Sequence, residues 1–165
     1  MESLLEIIKK RRSIRKFKSQ KVPIQQIEEL LEAARWAPSG GNVQSWRFVI
    51  VTKRESIEAL KMVSPGLFGE PHAMIIMCFD KDRLQSASKL HYVDLGAALQ
   101  NILLMAYAKG LGSCPIASFD AEAVVELLSL PSRIQPVLLV VVGYPDEDPS
   151  PPPRLPLNKL IMGRI

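Results

Sequence analysis

The chain has 165 residues, 47% hydrophobic and 23% charged, with a formal net charge of +4. That balance is ordinary for one globular domain with a sizeable core. The positive charge is local: Lys9–Lys21 (KKRRSIRKFKSQK) holds 8 of the 21 basic residues, leaving 13 basic against 17 acidic elsewhere, which argues against a broad polyanion-binding face.

Ser3–Lys10 has apolar residues at helical spacing and reads as a short helix. Ile24–Trp36 reads as a stronger one, because Ile27, Leu30, Leu31 and Ala34 share a stripe and Pro23 suits a helix start. Pro38 disfavours helical geometry at Ala37 and ends it. Trp46–Thr52 is a buried-strand pattern, Glu55–Met62 a short helix, and Ala73–Phe79 a second apolar strand. Tyr92–Lys109 is apolar nearly all round, as expected in a core or a subunit interface, with Gly110 as its C-cap. A short extended piece, Ser113–Ala117, precedes a helix at Ala121–Leu128 and a strand at Pro136–Gly143. Pro145–Pro156 contains six prolines and reads as an extended arm. The order is α-α-β-α-β-α-β-α-β-arm, one α/β or α+β domain.

Cys78 and Cys114 have no metal-ligand spacing and fit buried, reduced thiols. His72 and His91 stand apart, so no metal is expected. The N-terminus lacks an apolar signal region, and the run Leu95–Ala108 is too short to span a bilayer, so a cytoplasmic protein without a membrane partner is expected.

Four stretches can carry chemistry. In RRSIR, Arg11 and Arg15 share a face on a helix, and Arg11, Ser13 and Arg15 share one in an extended chain. Either way two guanidiniums lie close and repel unless an anion sits between them, and arginine suits planar recognition of phosphate or carboxylate. Taken alone, the stretch also fits a solvated charge run at a helix end. APSGGNVQSW places Ser39, Asn42 and Gln44 beside Gly40 and Gly41 in a helix-to-strand loop; their amides could pair with a heterocycle, or merely fill a turn. GLGSCPIASF contains GxG but follows a helix and lacks the third glycine of a dinucleotide fingerprint. PPPRLPL holds Arg154 on a stiff arm, at an anion or simply on the surface. No nucleophile elbow, Ser/His/Asp set or phosphate loop is visible.

In this order the stretches RRSIRKF, APSGGNVQSWRFVIV, DLGAALQNILLMAYAKGLGSCPIASF and PPPRLPL resemble the nitroreductase family of flavin enzymes over most of the chain. The resemblance implies an α+β fold with a central mixed or antiparallel sheet flanked by helices. Residues 1–165 would be a single FMN-binding domain, with a long helix in the dimer core and residues 145–165 as an arm crossing to the partner subunit. It implies a homodimer with FMN at the subunit interface, NADH or NADPH as electron donor, and a small flat electron-poor acceptor such as a nitroaromatic or quinone. Arg11, Arg12, Ser13 and Arg154 match the phosphate side. Arg15 matches the cation at the flavin's pyrimidine edge. Pro38, Ser39, Gly40, Asn42 and Gln44 match the loop that the neighbouring subunit brings to the ring and ribityl chain. Pro115, Ile116, Ala117 and Ser118 match the segment beside N5 and O4. No catalytic acid or base is expected, because the flavin carries the redox chemistry.

Two departures stand out. Pro152 replaces a Lys or Arg found in many relatives, which throws phosphate binding more onto Arg11. Val63–His72 is short, where larger members are expected to build a covering excursion between the second and third strands. Dehalogenating and flavin-fragmenting branches share the fold and remain alternatives. A nucleic-acid-binding module would need aromatic residues among the basic ones, and only Phe17 is there.

Overall fold

A computed structural model describes residues 2–84 and 89–165. In chain order the elements are α1 (Leu4–Lys10), α2 (Ile24–Arg35), β1 (Trp46–Val51), α3 (Arg54–Met62), β2 (Ala73–Asp80), α4 (Leu90–Ala108), β3 (Gly112–Ile116), α5 (Ala121–Leu127), β4 (Ile134–Gly143) and α6 (Leu157–Leu160). The helix-strand order matches the sequence reading, with ends displaced by one or two residues; α6 is the addition. Local chemistry explains the ends. Ser3 and Glu6 form a reciprocal capping box on α1, and Asp120 accepts from the Glu122 and Ala123 amides to start α5. Gly110, with φ +73°, closes α4. The Gly110 amide donates to the Tyr107 carbonyl and the Leu111 amide to that of Ala106, at 2.9 and 2.8 Å, the paired bonds of a Schellman motif.

The four strands form one antiparallel sheet in the order β1-β2-β4-β3. β2 is buried at all eight positions, and its sequence is apolar from Ala73 to Phe79, with the buried Asp80 at its end. Its alternate residues serve two cores. Ile75, Met77 and Phe79 pack with Ile27, Leu30 and Ala34 of α2 and Leu95, Ala98 and Ile102 of α4. Met74, Ile76 and Cys78 pack on the other face with Ile57 and Leu60 of α3 and Val124 of α5. Pro136 lies in β4, where it can offer no amide; the register slips between Met77 and Cys78 opposite it.

The stretch after α1 is laid against this sheet. Ser13 makes a parallel bridge to Ser113 of β3, and Phe17 an antiparallel one to Pro145 just past β4. Glycines make room: a Cβ on Gly112 would lie 2.7 Å from Ile14 Cγ2, and one on Gly143 would lie 2.6 Å from Phe17 Cδ1. The basic stretch is therefore extended from Ser13 onward, not helical, and Arg11, Ser13 and Arg15 alternate along it.

One expectation is corrected. Val63–His72 joins α3 to β2, so it lies between the first and second strands. An excursion between the second and third strands would fall instead in the connection from Asp80 to α4, part of which lies outside the described residues.

The apolar helix α4 has two unlike faces. Leu95, Ala98, Ile102, Leu103 and Ala106 are buried, whereas Tyr92 and Val93 are 54% and 67% exposed. Leu4, Leu5, Leu155, Leu157, Leu160 and Met162 are exposed as well. None of the described helices is long and apolar enough to cross a membrane.

Candidate functional site

The sequence candidates fall into two groups in this chain. The first lies at the β3 edge of the sheet. Arg11 follows α1 directly and is half-buried. Its Nη1 is buried and without a hydrogen-bond partner among the described residues. Burial, then the charges of Arg12 and Arg154, push the Arg11 pKa down. Arg154 is therefore close enough to be felt, although it lies far along the chain on the proline arm. The carbonyls of Pro152 and Pro153 accept from Arg154 Nη1, each at 3.2 Å. A cavity of about 500 Å³ opens between the two arginines, lined also by Lys9, Lys10, Pro151 and Pro152. A buried unpaired guanidinium nitrogen beside a second guanidinium is unfavourable without an anion, and a phosphate has the charge and acceptors to complement it.

Arg12 behaves differently. Its Nη1 donates to the carbonyls of Lys9 (2.7 Å) and Arg11 (2.8 Å), so the side chain folds back on the C-terminus of α1. It contributes positive charge to the cavity wall while its guanidinium is partly engaged by the backbone. Ser13 is fixed by its bridge to β3, and Arg15 is exposed with no ion pair among the described residues. Pro115 and Ile116 end β3, and Ala117 and Ser118 follow in the open.

The second group is the loop ahead of β1. Gly41, Asn42 and Gln44 have φ of +58°, +55° and +50°, three left-handed residues interrupted by Val43, a conformation that needs external fixing. Asp94 of α4 supplies one anchor, accepting the Gly40 amide at 3.2 and 3.3 Å. Inside the loop, Ser39 Oγ accepts from the Gln44 amide at 3.2 Å and Asn42 Oδ1 from Gln44 Nε2 at 2.7 Å. At its exit the buried carboxylate of Asp80 pairs with Arg47 at 2.9 Å, and Arg47 Nη1 donates to the carbonyls of Trp46 and Gln44.

The two groups do not meet within one chain. The loop enters β1 and the arginine stretch bridges to β3, so they flank opposite edges of the sheet. Three interstrand gaps separate those edges, about 14 Å. Along α4 they are also apart, since the loop touches Asp94 while Arg11 and Ser113 line a cavity with Tyr107 and Gly110. Thirteen helical residues correspond to about 20 Å.

The sequence profile of the family described as "Nitroreductase family" matches residues 8–65 and 59–144. The chain belongs to the nitroreductase family. Among its relatives is a protein of Thermus thermophilus named NADH dehydrogenase, 34% identical over 194 residues and covering 94% of this chain and 93% of the relative. An iodotyrosine deiodinase of Thermotoga neapolitana is 27% identical over 190 residues, covering 97–98% by span: 98% of this chain and 97% of the relative. A Desulfovibrio desulfuricans protein crystallised in complex with FMN superposes with a TM-score of 0.91 at 27% identity, covering 100% of this chain and 98% of that one.

Within this nitroreductase fold, several residues near the candidate site carried no local sequence signal. Asp80 and Asp94 are acids set in otherwise apolar elements, and that is their only trace in the sequence. Phe68, 63% exposed, sits between two glycines that press on the first group. A Cβ on Gly66 would overlap Ser118 Oγ, and one on Gly69 would overlap the Arg15 carbonyl oxygen. Among the described residues, no three His, Cys, Asp or Glu gather as a metal site.

Proposed function

We propose that this chain is an FMN-dependent oxidoreductase that takes electrons from NADH or NADPH and delivers them to flat electron-poor acceptors such as nitroaromatics or quinones. The observation that carries the reading is the buried, unpartnered Nη1 of Arg11 beside Arg154, which fits the phosphate of FMN. Arg11, Ser13 and Arg154 hold that phosphate. Arg15 presents a positive charge at the pyrimidine edge, favouring the cofactor's anionic reduced form. Pro115, Ile116, Ala117 and Ser118 border its reactive edge. FMN held by these residues would supply the hydride and electron chemistry, while the protein supplies binding, orientation and charge.

The functional unit in this reading is a homodimer. The loop carrying Pro38, Ser39, Gly40, Asn42 and Gln44 flanks the opposite edge of the sheet from Arg11 and Arg15, so in this reading a second copy contributes it. The exposed apolar face of α4, with Tyr92 and Val93, and the apolar arm after Pro145 are the surfaces such a dimer would cover. The arm, residues 145–165, crosses to the partner, with Arg154 midway along it still beside Arg11 of its own chain.

Purified protein supplemented with FMN should elute as a dimer, retain a yellow flavin spectrum, and bleach anaerobically with NADH or NADPH. A monomer that cannot hold FMN would reject the reading. Reductive dehalogenation is the second reading, favoured by the iodotyrosine deiodinase relative; halide release from an iodinated phenol in place of nitroaromatic turnover would select it.

A further inference from the structure

Arg15 lies between two sets of stitches. On one side the Ile14 amide donates to the Ser113 carbonyl at 3.0 Å. On the other the Lys18 amide donates to the Tyr144 carbonyl and the Asp146 amide to the Lys16 carbonyl, both at 2.9 Å. The amides of Arg15 and Lys16 fall in the gap and, among the described residues, donate to no backbone carbonyl. Both converge on one oxygen, Glu147 Oε1, at 2.5 and 3.1 Å. Successive amides directed at one anionic oxygen form a small anion nest, and bonds to a charged acceptor are the shorter and stronger kind. From the opposite side Gly69, at φ +78°, lies so close that any Cβ there would overlap the Arg15 carbonyl oxygen. The Arg15 N–H is thus held by Glu147 and its C=O fits against a position that only glycine can occupy, while its side chain remains exposed.

The charge of Glu147 has the wrong sign for this place. A carboxylate next to a site that must favour a cofactor anion opposes that task by direct field. Its presence therefore calls for a geometric reason. We propose that Glu147 is a positioning residue, whose carboxylate fixes the Arg15 backbone so that the guanidinium is aimed at the reduced cofactor. This rests on the placement of Arg15 at the pyrimidine edge of FMN.

Geometry and charge can be separated because they move the flavin potential in opposite directions. Glu147→Asp keeps the charge but is one methylene too short for both amides. Glu147→Gln removes the charge but keeps an oxygen at full reach. The measurements are the midpoint potential of FMN-loaded protein and the FMN dissociation constant, with the melting temperature of the FMN-free protein as a folding control. Arg15→Ala should lower the potential, and Glu147→Asp should lower it in the same direction. A tenfold loss of preference for the reduced form is about 30 mV for a two-electron couple. Glu147→Gln should match the parent or exceed it, and Arg15→Ala/Glu147→Asp should fall no lower than Arg15→Ala alone. An unmoved potential in Arg15→Ala would reject the Arg15 placement itself. If Arg15→Ala shifts while Glu147→Asp does not, if Glu147→Gln falls as Glu147→Asp does, or if the two single shifts add, Glu147 does not position Arg15.

Discussion

Arg11→Ala tests the phosphate assignment on both sides of the binding equilibrium. In the bound state the variant loses a charge-assisted hydrogen bond, worth about 1.5–3 kcal/mol. That weakens FMN by about 10- to 150-fold. In the free state the same change relieves a liability. Burial and the neighbouring cations Arg12 and Arg154 depress the Arg11 pKa, and its Nη1 is buried without a partner. The FMN-free variant should therefore melt at the same temperature as the parent or higher. Opposite signs for stability and affinity distinguish a ligand-binding arginine from a structural one. Quenching of flavin fluorescence during titration gives the affinity, and thermal unfolding followed by circular dichroism gives the stability. Added salt should weaken FMN binding in the parent more than in the variant, because one ionic contact has gone. Unchanged FMN affinity would refute the assignment. So would a loss of affinity accompanied by an equal loss of stability in the FMN-free protein.

Val93→Glu places a charge on the exposed apolar face of α4, where Val93 is 67% exposed. Sedimentation should show a monomer that no longer retains FMN although Arg11 and Arg15 are intact; a stable flavin-bound dimer would overturn the shared site. Asp80→Asn removes the carboxylate that pairs with Arg47 at 2.9 Å and so loosens the exit of the loop ahead of β1. Arg47 is partly exposed, so the urea unfolding free energy should fall by about 1.5–3 kcal/mol, the range for a hydrogen bond to a charged group, and not by the larger figure for a fully buried pair. An unchanged midpoint would contradict it. Glu32 is held at about 2 by its bonds to Arg35 and the Trp36 indole. A depressed carboxylate contributes stability above its usual titration range and loses it as pH falls through the depressed value. Trp36 fluorescence should thus show a transition near pH 2 that Glu32→Gln abolishes; a transition near pH 4.5 in the parent would count against the contact.

The fold was legible where its causes are local. The seven apolar residues of β2, the stripe of α2 and the Gly110 terminus each record their environment within a few residues of sequence. The conformation of the basic stretch was not, because charge spacing fits a helix face and an extended face equally well. What decides it is distant: Ser113, Pro145, and the two glycines that let Ile14 and Phe17 sit down. The fixing residues of the candidate site were hidden for the same reason. Glu147 holds an amide 132 positions earlier, and Asp94 one 54 positions earlier.

These carboxylates share a logic that motif reading cannot reach. A ligand-presenting segment that is neither a regular strand nor a helix leaves some of its amides without their usual carbonyl partners. The Arg15 and Lys16 amides and the Gly40 amide are such groups, and in each case an acidic side chain from a neighbouring element answers them. The cations that face outward are then backed by anions that bind main chain, not guanidinium. That arrangement leaves Arg15 without an ion pair among the described residues, in a chain that is net acidic outside its basic stretch. Pairing Arg15 with a side-chain carboxylate would have neutralised the charge that the flavin reading requires. Placing the acid on the backbone keeps both the geometry and the charge.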